Sequence, residues 1–440
     1  MNKNQDILLP EDMEIWSYVE YTIKKVMKLY NFKEVRTQII QKKSLYNKLM
    51  AYIKEYGKYS SHNLLINIED DETLCLRPEG TLTILNSQIV KEALIKTQKV
   101  FYHGPMFIKN PPLSLRLSED ECLAIANSAG EQILQFNQIG AEILGSDSIM
   151  SDVEIILLAD KILQEICNIS FTLEINSHGC EKCFVAYKEA LQDFLLHYDD
   201  ELCEKCKENT NIYPLAVYKC HEEACQKIRQ IAPKFLDYLC FDCIENFKKI
   251  KKLLSNLGLK FIINPYLFLN FDYYSGLIFN FYYSSAEKNT ILIKGGRYDG
   301  LSKYISEKPI SAVGFSLNIE ETMQLLKNKN IFHQKELSFT VCLLTLSANM
   351  ELLILQIEQE LHENDINTVI FENIFEPEEI NDLIIENKFD VYLIFREDFI
   401  RDGNVLAYSN ENIMDINVQN LIALSDILNH VKKNKNKEKY

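Results

Sequence analysis

Residues 10–30 place Met13, Trp16, Val19, Ile23, Val26, Met27 and Tyr30 at spacings of three and four. That period puts all of them on one stripe and predicts an amphipathic helix. The chain then turns at Asn31 and runs extended through Lys33-Glu34-Val35-Arg36-Thr37. Residues 64–78 alternate around Asp70-Asp71-Glu72 as the arms of a hairpin do. Strand patterns follow at 99–107 and 135–145, joined by a long connection over 110–131 that is rich in proline, serine and acidic residues. A loop of that length costs little extra closure entropy. Strands resume at 261–283 and 289–294, ahead of a glycine-rich turn and a helix over about 316–327. From Leu337 the pattern becomes strand (337–344), helix (350–363), strand (367–371), a second helix and strand (390–395). Such alternation predicts a small α/β domain.

Three stretches are more specific than periodicity: Leu76-Arg77-Pro78-Glu79-Gly80-Thr81, then Asp272-Tyr273-Tyr274, then Gly295-Gly296-Arg297-Tyr298-Asp299-Gly300-Leu301 with Ala312-Val313-Gly314-Phe315 behind it. In this order and at these separations they resemble the histidyl-tRNA synthetases, a family of class II aminoacyl-tRNA synthetases. The resemblance covers nearly the whole chain. It implies an α+β fold, with a class II antiparallel sheet flanked by helices built from residues 1–167 and 261–330. Residues 168–260 form a cysteine-rich insertion, 336–430 an α/β domain like the family's anticodon-binding domain, and 431–440 a basic tail expected to fray. The helix at 10–30 and its extended sequel resemble the motif that builds the family's homodimer interface, with Gln38 in place of the usual proline.

Gln138 and Glu142 stand four residues apart, so on a strand both point to one face. A carboxylate suits an ammonium group, and an amide reads imidazole nitrogens or a carboxylate. A satisfied polar core is the plainer reading of either residue alone. The resemblance assigns histidine binding to Glu79, Thr81, Gln138, Glu142, Tyr273 and Tyr274.

The family places arginines against ATP and the activated carboxylate where this chain has Ile108, Leu269 and Glu321. Adenylate formation relies on positioning and charge compensation, for which arginine's permanent, forked cation is suited. Removing one preorganised donor typically costs roughly 10²–10³ in rate. Among substitutes, Lys109 should face away from the side of Ile108, Arg116 lies in the long loop, Lys294 takes the place of a glycine, and Arg297 belongs to the turn. The family's Val-Phe-Glu reads Ile278-Phe279-Asn280. No catalytic residue is therefore assigned, and ATP is not expected to be held.

Eight of the twelve cysteines lie between 180 and 243, as Cys180 with Cys183, Cys203 with Cys206, Cys220 with Cys225 and Cys240 with Cys243. Cys-x-x-Cys turns bring two thiolates to one metal, so structural zinc is expected, with the pairing left open. Buried small hydrophobes are the alternative. His178 and His221 are spare ligand candidates expected to face solvent. The net charge of −16 opposes loose polyanion binding. No apolar run approaches a membrane span and the N-terminus lacks a signal-peptide layout, so a cytoplasmic protein without membrane contact is expected.

A family member that keeps the histidine pocket and loses adenylation resembles the regulatory subunit of ATP phosphoribosyltransferase, which senses histidine for its biosynthesis. Its partners would be histidine and the catalytic subunit of that enzyme. Those subunits typically lack an insertion of this kind. The alternatives are a divergent, working histidine–tRNA ligase, and a non-catalytic module that binds tRNA or a synthetase.

Overall fold

The computed structural model describes residues 8–46, 74–109, 124–126, 132–167, 169–220, 222–268, 274–285, 289–304, 309–329, 340–346, 350–374, 379–380, 383, 389–396, 404–409 and 412–417. The chain divides into two compact units, Met1–Ile331 and Phe332–Tyr440. Most of the expected hairpin at 64–78 and of the 110–131 connection lies outside the described residues.

The first helix, α1 (Pro10–Leu29), buries Ile15, Trp16, Val19, Ile23, Val26 and Met27. Proline at its first position and Glu11 and Asp12 in its first turn suit the start of a helix. It stops because Asn31 takes a left-handed conformation, φ 60°. The Asn31 N–H then reaches the Lys28 carbonyl (3.1 Å) and the Phe32 N–H the Met27 carbonyl (2.9 Å), which satisfies two last-turn acceptors.

The strands of the first unit are β1 (Lys33–Glu34), β2 (Ile40–Lys42), β3 (Leu74–Leu76), β4 (Gln98–Lys109), β5 (Ala124–Ala126), β6 (Gln132–Leu144), β7 (Thr172–Ser177), β8 (Phe261–Ile263), β9 (Leu277–Ser284), β10 (Asn289–Arg297) and β11 (Ala312–Asn318). The main sheet has the order β1-β4-β6-β11-β10-β9-β7-β8, with β5 also on β6. It is antiparallel except at its margins, where β1 runs parallel to β4 and β8 to β7. Strand β7 falls within the 168–260 segment yet pairs with β9 in this sheet. The strand at 312–318 takes the first residues of the helix expected at 316, so that helix runs Ile319–Asn328.

Two short helices, α2 (Thr81–Leu85) and α3 (Ile89–Ala93), follow β3. Along β6, Ile139, Ala141 and Ile143 are almost wholly buried on one face. The long helix α4 (Ile149–Cys167) packs against α1 and against β6, β10 and β11. The other face carries Gln138, Gly140 and Glu142, since successive strand side chains alternate. The insertion contributes α5 (Glu181–His197), α6 (Glu204–Thr210), α7 (Glu223–Ile231) and α8 (Phe241–Asn256) around its own core of Tyr187, Leu191, Leu195, Ile228 and Phe235. The helix at Ile319–Asn328, α9, closes the unit.

The second unit has a sheet of order β13-β12-β14-β15-β16, from β12 (Thr340–Thr345), β13 (Asn367–Ile374), β14 (Val391–Phe395), β15 (Asn404–Ser409) and β16 (Asn412–Asn417). Strands β12, β13 and β14 are parallel, and α10 (Glu351–Glu363) connects the first two. Strand β12 is buried throughout, as a central parallel strand should be. The hairpin β15–β16 ends the sheet antiparallel and was not evident from the sequence pattern. Among the described residues no helix is long and apolar enough to cross a membrane.

Arg297 locks the end of β10 to α4. Its Nε donates to Asp152 Oδ1 at 2.9 Å and its Nη1 to the Ser146 carbonyl at 2.9 Å and Asp299 Oδ1 at 3.2 Å. Both Arg297 and Asp152 are buried. Arg297→Met should therefore leave an uncompensated carboxylate and cost about 3–5 kcal/mol in denaturant unfolding. Arg297→Met with Asp152→Leu should recover most of that loss, whereas additive losses would show that the pair is not coupled.

A carboxylate pocket and two cysteine centres

Glu142 is only 2% exposed and accepts hydrogen bonds from Thr81 Oγ1 (2.8 Å) and the Tyr298 hydroxyl. Space for its carboxyl exists because Gly314 faces it, where a Cβ would come within 1.7 Å of Oε2. On the same face the Tyr102 hydroxyl donates to Gln138 Oε1 (3.3 Å) and approaches Thr81 Oγ1 (3.4 Å). Gly80 and Gly140 make room for the Tyr102 ring, each lying where a Cβ would meet it at 2.0–2.2 Å. Glu79 accepts the Leu82 N–H in the first turn of α2 (3.0 Å). Tyr274 lies over Gly296, which pairs with Gly314. The structure thus brings Glu79, Thr81, Gln138, Glu142 and Tyr274 together around one pocket, while Tyr273 lies outside the described residues.

Burial pushes the Glu142 carboxyl up to about 8, against the hydrogen bonds from Tyr298 and Thr81, and the neighbouring Glu79 adds to the rise. Glu79 rises to about 7 for the same reason, despite N–H donors from Leu82 and Thr81 and the Arg77 charge. Two buried carboxyls, of which Glu142 has no cation beside it among the described residues, are poised for a ligand that supplies one. Tyr102 and Tyr298 complete the pocket but were not assigned to it from the sequence. Tyr298 carried a signal, since it belongs to the Gly-Gly-Arg-Tyr-Asp-Gly stretch. Tyr102 carried only strand alternation.

The arginine-replacing positions are placed as follows. Ile108 is 6% exposed on β4, opposite Leu134, and offers no polar group. Leu269 lies outside the described residues, as do Arg116 and the side chain of Lys109. Glu321 is in the first turn of α9, whose start Asn318 caps by accepting the Glu321 N–H (3.0 Å). Its carboxylate is near Lys294, which burial holds below the ordinary lysine value and Glu321 supports. Arg297 is committed to Asp152 and Asp299. Arg77 is equally engaged, donating to the Thr37 carbonyl (2.9 Å), Thr37 Oγ1 (2.6 Å) and the Pro105 carbonyl (2.9 Å).

The eight cysteines resolve into two groups of four, Cys180, Cys183, Cys240 and Cys243 in one and Cys203, Cys206, Cys220 and Cys225 in the other. Within each, all sulfurs lie within 4.8 Å of one another. Separations of 3.6 Å (Cys180–Cys183), 4.0 Å (Cys180–Cys240) and 3.7 Å (Cys203–Cys220) are too long for disulfides. They match the edge of a tetrahedral ZnS₄ site, roughly 3.8 Å for a Zn–S bond near 2.3 Å. Cys180, Cys203 and Cys240 each cap a helix, so the positive ends of α5, α6 and α8 point at the thiols. The Cys240 N–H reaches Cys183 Sγ (3.1 Å) and the Cys203 N–H reaches Cys225 Sγ (3.3 Å). These residues fit a metal ion with four thiolate ligands.

His178 does not face solvent as expected. It is 1% exposed and stacks between Phe268 (4.5 Å between centroids) and Phe235 (5.2 Å), which makes it part of the insertion's base rather than a ligand. Burial lowers its basicity to about 4. His221 lies outside the described residues.

Residues 8–322 match the family model described as histidyl-tRNA synthetase. A histidine–tRNA ligase of Thermosipho melanesiensis is 30% identical over 372 residues, covering 83% of both chains. One from Halothermothrix orenii is 31% identical over 328 residues, covering 74% of each. The apo histidyl-tRNA synthetase of S. aureus shares the fold with a TM-score of 0.74 at 21% identity, covering 98% of both chains. An ATP phosphoribosyltransferase regulatory subunit/histidyl-tRNA synthetase from Bacillus halodurans superposes with a TM-score of 0.59 at 14% identity, covering 89% of this chain and 97% of that one.

The raised carboxyl of Glu142 makes stability depend on pH. Its contribution is whole below about pH 4.5, its ordinary value, and is lost as pH rises through about 8. Glu142→Gln removes that loss, so its melting temperature should exceed that of the parent at pH 8.5 by about 5–9 °C. At pH 4.5 the two melting curves should nearly coincide. An equal shift at both pH values would mean that Glu142 is ionised in the empty fold.

Proposed function

The chain belongs to the histidyl-tRNA synthetase family, and from that premise we propose that it binds histidine without activating it. Its role would be that of a histidine-sensing regulatory subunit, of the type that serves ATP phosphoribosyltransferase in histidine biosynthesis. One observation carries this reading. A preserved carboxylate pocket at Glu142 lies on a sheet floor where two of the family's arginine positions carry no cation, Ile108 being buried and apolar and Glu321 acidic. Among the described residues, Arg77 and Arg297 near the floor are engaged in holding the fold.

In this reading Glu142 ionises when the ligand's ammonium arrives, with Thr81 and Tyr298 orienting its two oxygens. Gln138, fixed by Tyr102, reads the polar end of the ligand, and Tyr273 and Tyr274 close on the imidazole. Attack of the carboxylate on the α-phosphorus of ATP would still require a triphosphate to be neutralised and held in line. Glu321 repels it. The protein is proposed to act as a cytoplasmic homodimer through α1 and the segment after it. Each cysteine group is proposed to hold a structural zinc ion, closed by four thiolates and so without an open position for chemistry.

A second reading, an active histidine–tRNA ligase, is favoured by the long match to such enzymes and by the α/β unit at the C-terminus. Pyrophosphate exchange into ATP separates the two, because it needs no tRNA. The sensing role predicts histidine-dependent exchange at background, with histidine still raising the melting temperature by mass action. Robust exchange by the unmodified protein would install the ligase reading instead. If histidine gives neither exchange nor a melting shift, a purely macromolecular binding role would replace both.

The zinc proposal predicts about two metal ions per chain, one per cysteine group, in protein purified without chelator. Cys203→Ser with Cys206→Ser should halve that content and expose the insertion to proteolysis. Metal-free protein with a protease-resistant insertion would overturn it.

A further inference from the structure

Relative to the family pattern, the charges on the nucleotide side of the floor are exchanged rather than only deleted. A glycine position on β10 has become Lys294, an arginine position on α9 has become Glu321, and the glutamate that follows Val-Phe in the family has become Asn280. One base and one acid now stand there, the acid on an arginine's former ground and the base opposite the glutamate's.

Strand register fixes where Lys294 points. It lies directly opposite Asn280 on β9 and Ser316 on β11, and Ser316 lies opposite Gly140 on β6. Directly opposed residues share a face. Gly140 stands between Gln138 and Glu142 on that face, so Lys294 emerges from the same floor as the pocket. Two strand spacings separate Lys294 from Gly140, roughly 10 Å between backbones. The flexible four-carbon stem of lysine lets its ammonium lean into that gap. This leaves room for the few ångströms between the ammonium and carboxylate of one amino acid.

Its surroundings suit a single anion. Asn280 is 4% exposed and its Oδ1 has no hydrogen-bond partner among the described residues, so a buried polar group awaits a donor beside Lys294. Glu321 approaches the lysine from α9 and favours its charged form against the burial that lowers it. Lysine and glutamate together are neutral. They leave a triphosphate without net compensation, while one carboxylate still finds an ammonium.

We propose that Lys294 is the counter-charge for the α-carboxylate of the amino acid whose ammonium rests on Glu142, with Asn280 bridging to the lysine and Glu321 steadying it. The inference rests on the reading above that this pocket binds histidine. Lys294 is then a binding and specificity residue in place of the missing arginines, for an amino acid and not for its adenylate.

The test compares histidine with histidinol, which has a primary alcohol in place of the carboxylate, by titration calorimetry on the full chain. The intact protein should prefer histidine about tenfold or more, the worth of a charge-assisted contact. Lys294→Met should abolish the preference by weakening histidine while leaving histidinol unchanged, and Lys294→Arg should keep it. Equal affinity of the intact protein for both ligands, or an undiminished preference in Lys294→Met, would overturn the proposal while leaving the histidine pocket intact. Should Lys294→Met not fold, the preference of the intact protein and its persistence in Lys294→Arg decide the matter. Binding of neither ligand by the intact protein would instead sink the histidine reading itself.

Discussion

A carboxyl buried with no cation beside it among the described residues is the constraint around which this sheet is arranged. Glu142 is tolerated in the sheet because Thr81 and Tyr298 satisfy its oxygens and because Gly314 leaves it room. Each of those contacts comes from a different part of the chain. Thr81 opens α2, Tyr298 directly follows β10, and Gly314 lies within β11. Anchoring that one side chain therefore depends on the pairing of β6 with β11 and of β11 with β10. The same demand explains why three glycines gather there. Gly80 and Gly140 yield their space to the Tyr102 ring, whose hydroxyl then fixes Gln138.

Two arginines near this floor, Arg77 and Arg297, are in structural use. Arg77 ties the segment at Thr37 to the middle of β4, and Arg297 ties β10 to α4. Neither can be withdrawn without leaving buried acceptors unpaired, which costs more than the bonds themselves yield. The architecture of the family is thus held by contacts that its own packing requires. Persistence of the fold carries no information about persistence of the chemistry, which lives in a few side chains.

Much of this was legible in the sequence. The stripe from Met13 to Tyr30 gave a helix that ends one residue earlier, and the patterns at 99–107 and 135–145 gave the paired strands β4 and β6. The four-residue spacing of Gln138 and Glu142 was enough to put both on one face. The role of Tyr102 was hidden because it depends on glycines from α2 and β6 meeting one ring, a long-range coincidence with no local signature. The cysteine pairing was hidden for a similar reason, since Cys180 and Cys183 join Cys240 and Cys243 across sixty residues while the middle four close among themselves. His178 misled because a polar residue next to a cysteine turn suggests solvent or metal. The aromatic rings that enclose it, Phe235 and Phe268, come from far along the chain.

The proximity of Lys294 and Glu321 has an evolutionary consequence. A descendant that regained only the helix arginine, by Glu321→Arg, would set two cations against each other over a half-buried floor. One that regained only the strand glycine, by Lys294→Gly, would leave an acid facing the ligand's carboxylate. Either first step is worse than staying put. On the proposed reading the pair therefore works as a ratchet, since neither single substitution leads back toward a nucleotide site.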